Sequence, residues 1–163
     1  MQGQLFSQDF LHVGIRETPP FEALNSDVFN AFHAALTTAF AGLNFDSTIN
    51  EAQTEQVVIQ KVLHALGWGD DTLPQVNLSG KRREDVPDML LFADSTAKAS
   101  ALPLKDDQRY RHGLAILEAK RWLRPLDRSD RNDLREALDP DAPSTQMLRY
   151  LSRADVVSDR AIK

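Results

Sequence analysis

Three ionisable side chains lie at the ends of two short apolar runs. In the stretch Gly113-Leu-Ala-Ile-Leu-Glu-Ala-Lys-Arg-Trp122, four apolar residues are followed by Glu118 and Lys120. If this stretch is a strand, its side chains alternate with a period of two, so the acid and the amine share one face. Earlier in the chain, Asp88 precedes the apolar run Met89-Leu-Leu-Phe92. Buried charges are costly unless they pair or bind a metal ion, so this pattern indicates a metal-dependent active site.

A plain salt bridge is the alternative interpretation of the same residues. Glu118 and Lys120 would then form a cross-strand or edge pair, with Arg121 and Asp88 nearby and no chemistry attached. The residues alone leave both interpretations open.

A further acid, Glu55, belongs to a helix predicted over residues 51–66 that ends at Gly67. Glu55 lies one turn before Val58 and Ile59, on the side of the helix that packs on the core. An acid in the first turn also suits the helix dipole, so this simpler role stays open for Glu55.

The remaining elements follow in an order that suits an α/β protein. Three apolar segments are predicted as strands: residues 73–78, 86–93 and 113–122. The polar residues 94–112 are interpreted as a long loop. A helix is predicted over residues 145–151, with Gln146 and Tyr150 on one face. Residues 155–163 are expected to begin a further strand that is cut short, which favours a fragment of a longer enzyme.

With these elements in this order, the chain resembles the PD-(D/E)xK nuclease superfamily. The motif is present as Pro87-Asp88 and Glu118-Ala119-Lys120, and Gln146-x-x-x-Tyr150 matches an additional motif of several branches. The closer resemblance is to the N-terminal nuclease domain of type IIG restriction-modification enzymes and related phage-defence proteins. It rests on four pieces in the same order: Leu66-Gly67-Trp68, Pro87-Asp88, Glu118 to Arg128, and Pro143 to Tyr150.

The resemblance implies a restriction-endonuclease-like core, with a central mixed β-sheet flanked by helices. This core would cover residues 51–163, and residues 1–50 would form a lead-in and a helix that packs on it. The implied activity is Mg²⁺-dependent DNA hydrolysis by an endonuclease, with Mn²⁺ as a substitute. A catalytically silent DNA-binding or assembly module of the same fold is the alternative.

The resemblance also implies a role for each motif residue. Asp88 and Glu118, with the Ala119 carbonyl, would coordinate the metal ion. Lys120 would lie beside the attacking water and the scissile phosphate. Glu55 would hold a second metal ion or a metal-bound water. Two residues of the last helix complete the set. Gln146 would orient Lys120 or the water, and Tyr150 would pack or contact a DNA phosphate.

The distribution of charge is compatible with DNA as a partner, although the net charge is −5. Residues 1–80 carry two basic and nine acidic side chains, whereas residues 81–163 carry seventeen and fifteen. Local basic patches matter more than the sum when a polyanion binds. The candidate DNA-binding residues are Lys81, Arg82, Arg83, Arg121, Arg124, Arg128 and Tyr150. For Arg124 and Arg128, a role in loop structure is equally open.

Composition sets the remaining expectations. A chain of 163 residues without cysteine predicts one domain with its own core and excludes disulfides and thiolate metal sites. No apolar run approaches the roughly 20 residues of a membrane helix, and no signal peptide is evident, so we expect a cytoplasmic protein away from membranes. The family resemblance implies a methyltransferase and target-recognition region in the same or a partner chain, and it allows a homodimer.

Overall fold

The computed structural model describes residues 7–41, 49–79, 85–122, 124, 126, 142–159 and 162. The chain divides into two compact units, residues 1–38 and 39–163. The first elements are helices α1 (Gln8–His12), α2 (Pro19–Glu22) and α3 (Ser26–Phe40), with a 3₁₀ turn at Gly14–Glu17. All candidate site residues belong to the second unit. The predicted boundary near residue 50 stays a prediction.

The second unit is built around a three-stranded sheet. Its strands are β1 (Thr72–Pro74), β2 (Met89–Phe92) and β3 (Gly113–Leu117), in the order β1-β2-β3. Both pairings are antiparallel. The three predicted strands are present in the predicted order, and each is shorter than expected. The α/β class is confirmed, and the sheet is antiparallel throughout the part of the chain that the structure describes.

The two faces of the sheet pack on different helices. Leu90, Phe92 and Ile116 belong to one apolar cluster. This cluster also contains Tyr150 and Ala154 of the long helix α8 (Pro143–Val157). The opposite face contributes a second cluster: Met89, Leu91, Ala115, Leu117, Leu63, Ile59 and Trp68. The alternation expected for β3 is therefore present, and it places helices on both sides of the sheet.

The helix that covers the second face begins at Asn50, which caps it in a reciprocal capping box with Gln53. It runs through α4 (Glu51–Thr54), a π-helical turn (Glu55–Ile59) and α5 (Gln60–Ala65). It ends at Ala65, one residue before the predicted end, and Gly67 follows with a φ of 88°, which suits glycine. Trp68 then donates its indole N–H to the carbonyl of Phe92, at 3.1 Å, and so fixes the helix end to the sheet.

The prediction of a loop over residues 94–112 is wrong. The segment contains α6 (Ser95–Ala101) and α7 (Asp106–Arg109). Asp94 caps α6 by accepting from the backbone N–H of Ala97, and Ala101 is fully buried. The capping residue and the small side chains made this helix possible without a wide apolar stripe, so helical periodicity did not reveal it.

The prediction that residue 155 begins a strand is also wrong, because α8 continues to Val157. Ala154 is fully buried against the sheet, and Ser158 donates its backbone N–H to the Ala154 carbonyl. Packing of the helix therefore extends beyond the predicted end at residue 151. The sequence also suggests a short helix at residues 132–138, and these residues lie outside the described ones.

Candidate active site

Asp88 and the Glu-x-Lys segment meet at one end of the sheet. Met89 of β2 pairs with Leu117 of β3, so the antiparallel register places Asp88 opposite Glu118. The Asp88 Oδ2 atom accepts a hydrogen bond from the backbone N–H of Ala119, at 2.6 Å. The structure thus brings together the two motifs that the sequence separates by thirty positions.

Glu118 and Lys120 form an ion pair at the same place. Lys120 Nζ lies 2.5 Å from Glu118 Oε1, and their side chains are 14% and 7% exposed. The second carboxylate oxygen, Glu118 Oε2, is buried and accepts no hydrogen bond of normal geometry within the described residues. A buried anionic oxygen without a partner is unfavourable. It is the kind of donor that a hard divalent cation binds.

Glu55 faces the same group of charges from the helix. It is the first residue of the π-helical turn, a rare irregularity that occurs frequently at functional sites. Burial raises the pKa of Glu55, and the negative charges of Asp88 and then Glu51 raise it further. The charge of Asp88 thus acts on Glu55, as it does on Glu118.

The electrostatics of Glu118 reflect its position between an amine and a second acid. Burial is the largest influence and raises the pKa of Glu118 above its ordinary value of 4.5. The hydrogen bond and charge of Lys120 and the nearby backbone N–H of Asp88 lower it, whereas the charge of Asp88 raises it. Repulsion between two nearby carboxylates is the condition that a bound cation relieves.

These shifts predict how stability depends on pH without metal. The pKa values of Glu55 and Glu118 are raised in the folded state, so above pH 4.5 the folded protein binds more protons than the unfolded chain. Their favourable contribution is therefore complete below pH 4.5 and is lost as pH rises through the folded-state values. Urea unfolding in EDTA across this window should show that Glu118→Gln flattens the decline. An unchanged slope would contradict the assignment.

The segment after Lys120 is attached to the helix through Thr54. The Thr54 hydroxyl accepts from the backbone N–H of Trp122, at 3.0 Å, and donates to the Asn50 carbonyl, at 2.8 Å. Thr54 is buried and directly precedes Glu55. Sequence reasoning missed this residue, since a threonine in a first helical turn carries no signal of a partner 68 positions away.

Helix α8 approaches the site at its N-terminal half. Met147 and Glu118 line the same cavity, which has a volume of about 500 Å³ and mostly apolar walls. Gln146 donates its amide N–H to the Tyr150 hydroxyl, at 2.7 Å. Tyr150 is 4% exposed and packs in the larger cluster, which is one of its two expected roles. Orientation of Lys120 by Gln146 and contact of Tyr150 with DNA stay predictions.

The basic candidates are placed unevenly. Arg121 is exposed, and Arg124 is half-buried beside it, with its backbone N–H bonded to the Arg121 carbonyl at 3.1 Å. Both follow directly on the Glu-x-Lys segment. The other basic candidates lie outside the described residues: Lys81, Arg82, Arg83 and Arg128. DNA contact by any of the six stays a prediction.

Asp85 is a second residue that sequence reasoning missed. Its carboxylate is almost fully buried between Arg149 Nε, at 2.9 Å from Oδ1, and Arg153 Nη1, at 2.6 Å from Oδ2. Its backbone carbonyl accepts from the Leu78 N–H. Asp85 therefore ties α8 to the chain just before β2. The available signal was the i, i+4 spacing of the two arginines on one helix face.

Replacement of Asp85 should destabilise the fold. In Asp85→Asn, both arginines lose their anion and a buried amide replaces it, so we expect a loss of about 1–3 kcal/mol in the free energy of unfolding. Asp155→Asn is the matched control, since Asp155 is exposed on α8 and should change by less than about 0.5 kcal/mol. Urea unfolding measures both. Equal effects in the two variants would show that the buried ion pairs do not hold α8.

The donor set fits a divalent cation in part. Asp88 and Glu118 supply carboxylate oxygen atoms at one end of the sheet, the type of ligand that Mg²⁺ prefers. Among the residues that the structure describes, no three acidic or histidine side chains form a ready-made metal cluster. A metal ion would therefore depend on the two acids, the backbone and water.

The fold and site define a mixed α/β protein with two acids and a lysine at the end of an antiparallel sheet. Comparison of the chain with models of known protein families, with curated proteins and with solved structures gives no match. Within the described part of the chain, no helix is long and apolar enough to cross a membrane.

Proposed function

We propose that the protein is a Mg²⁺-dependent endonuclease that hydrolyses phosphodiester bonds in double-stranded DNA. The observation that carries the proposal is the hydrogen bond from the Ala119 N–H to Asp88, which joins the Pro-Asp and Glu-x-Lys motifs. The unpartnered Oε2 of Glu118 supports a cation beside it. The sequence resemblance to the PD-(D/E)xK superfamily supplies the reaction class.

In this proposal, the site residues divide the work between holding the cation and handling charge on the phosphate. Asp88, Glu118 and the Ala119 carbonyl would hold Mg²⁺. The cation, when bound, supplies Lewis-acid activation of water and neutralises developing negative charge. Lys120 places its ammonium beside the same carboxylate, where it orients the attacking water and offsets charge on the scissile phosphate.

Glu55 and the end of α8 complete the proposed site. Glu55 would hold a second cation or a metal-bound water, and the effect of the Asp88 charge on its pKa supports this role. Gln146 would orient the water or Lys120, once its amide is released from Tyr150. Arg121 and Arg124 follow the site directly and would contact phosphates outside the scissile bond.

The finer architecture and the setting of the enzyme belong to the same proposal. The sheet between helical layers is compatible with a restriction-endonuclease-like core, in which a mixed sheet would extend beyond the three antiparallel strands. A methyltransferase and target-recognition region, in this or a partner chain, would supply sequence specificity. The proposed enzyme acts in the cytoplasm in defence against phage DNA, and a homodimer would cut both strands.

A plasmid cleavage assay tests the proposed function. Supercoiled DNA incubated with the protein should become nicked or linear in Mg²⁺ or Mn²⁺. It should remain intact in EDTA or in buffer without added metal. Cleavage that persists in EDTA would contradict metal dependence. Intact plasmid under every metal condition would contradict the function.

Two observations favour a catalytically silent DNA-binding module as the second candidate. Lys120 occupies one oxygen of Glu118, and the described residues form no three-residue metal cluster. This module would bind DNA with an affinity that falls steeply with salt, because phosphate contacts release counterions. It would show this binding unchanged in EDTA and would leave plasmid intact, which separates it from the endonuclease.

A further inference from the structure

Among the contacts of the described residues, two hydrogen bonds hold the backbone of the Glu-x-Lys segment after β3 ends at Leu117. The Ala119 N–H donates to Asp88 on one side, and the Trp122 N–H donates to Thr54 on the other. Lys120 lies between these two points. Since residues 118–121 have left the regular strand, these contacts constrain the backbone from which the Lys120 side chain projects.

The chemistry of Thr54 suits it to this contact. Threonine in a helix commonly donates its hydroxyl proton to the carbonyl four residues earlier, as Thr54 does with Asn50. The donation leaves the oxygen lone pairs to accept, and the Trp122 N–H supplies the proton. Thr54 as a whole residue is only 3% exposed, so water does not readily replace either partner of its hydroxyl.

The contact also joins the helix that carries Glu55 to the segment that carries Lys120. Thr54 directly precedes Glu55, and Trp122 follows Lys120 by two residues. A shift of the Trp122 backbone away from Thr54 would therefore move Lys120 relative to Glu55. Misplacement of a catalytic group by about 1 Å can lower a rate by about 100-fold.

We propose that Thr54 is a positioning residue for the cleavage reaction, setting the distance of Lys120 from Glu55 through the backbone of Trp122. The inference rests on the proposed endonuclease function. Thr54 contacts neither DNA nor metal in this role. Its effect passes through the segment that it holds.

Paired substitutions separate positioning from packing. Thr54→Val keeps the shape of the side chain and removes both hydrogen bonds, whereas Thr54→Ser keeps the hydroxyl. Thr37→Val is the matched control, because Thr37 makes the same donation to the carbonyl four residues earlier, at 2.8 Å, and is exposed. We expect Thr54→Val to lower kcat by about 10- to 100-fold with KM nearly unchanged. Thr54→Ser should restore most of the rate, and Thr37→Val should match the wild type.

Amide hydrogen exchange of residues 119–122, measured on the full chain, provides a readout that does not depend on cleavage. Exchange should become faster in Thr54→Val and return toward the wild-type rate in Thr54→Ser. If the wild type cuts DNA and Thr54→Val has the same kcat, the positioning role is wrong and the endonuclease function stands. A wild-type protein that cuts no DNA overturns the function, and unchanged exchange in Thr54→Val overturns the tether itself.

Discussion

Glu118→Gln is expected to lower kcat for Mg²⁺-dependent plasmid cleavage by at least about 10³-fold. The substitution preserves side-chain size and leaves an oxygen that can accept from Lys120, but it removes the charge that would bind the cation. Loss of a single preorganised electrostatic group costs about 10²–10³ in kcat, and loss of the metal adds to this. Single-turnover cleavage at saturating protein measures the effect on the chemical step.

The control for this prediction is Glu22→Gln, an exposed acid in the first unit, which should cleave at the wild-type rate. DNA binding by Glu118→Gln should be retained or tightened, because one negative charge is removed near the phosphate backbone. A Glu118→Gln protein that folds and cleaves within tenfold of the wild type would remove Glu118 from the site.

Lys120→Met is expected to affect both stability and activity. In the absence of metal, the substitution leaves Glu118 buried without its partner, and breaking a buried pair in this way costs about 3–5 kcal/mol. Mg²⁺ should recover part of that loss, because a cation on Glu118 replaces the missing ammonium. The increase in melting temperature on adding Mg²⁺ should therefore be larger in Lys120→Met than in the wild type.

Recovery of stability should not restore cleavage in Lys120→Met. The metal-loaded variant still lacks the ammonium beside the scissile phosphate, so kcat should stay about 10²–10³-fold below the wild type. Lys61→Met, an exposed substitution on α5, is the control for both measurements. A Mg²⁺ shift in Lys120→Met no larger than in the wild type would show that Glu118 does not bind the cation.

The meeting of Asp88 and Glu118 was expected from the resemblance, which assigns the Pro-Asp and Glu-x-Lys motifs to one site, and the antiparallel register of β2 and β3 accounts for it. Once β2 and β3 are recognised and pair around Met89 and Leu117, the residues just beyond them must face each other. The end of the helix just before Gly67 was predictable from the sequence, since the adjacent residues determine it.

Contacts between distant segments were not predictable in this way. Thr54 and Trp122 lie 68 positions apart, and the bond between a side-chain hydroxyl and a backbone N–H leaves no pattern in residue types. The π-helical turn at Glu55–Ile59 likewise depends on how the helix packs on the sheet. The burial of the Asp85 carboxylate was also not predictable, because in the sequence Asp85 is one of several charged residues in a polar segment.

The ion pair between Glu118 and Lys120 matches the salt-bridge interpretation as well as the metal-site interpretation. Its geometry alone favours neither. The two differ in what they require of the second oxygen of Glu118, which the structure leaves buried and without a partner among the described residues. A salt bridge gives that oxygen no function, whereas a metal site uses it.

Diffraction from crystals soaked in Mn²⁺, with data collected for anomalous scattering, tests the proposed metal site most directly. An active nuclease site predicts an anomalous peak within coordination distance of Asp88 and Glu118 Oε2, and beside the Ala119 carbonyl. The peak should disappear in Glu118→Gln crystals soaked in the same way. Wild-type crystals that show no peak there, with Lys120 still paired to Glu118 at saturating Mn²⁺, would contradict the site and favour the salt bridge.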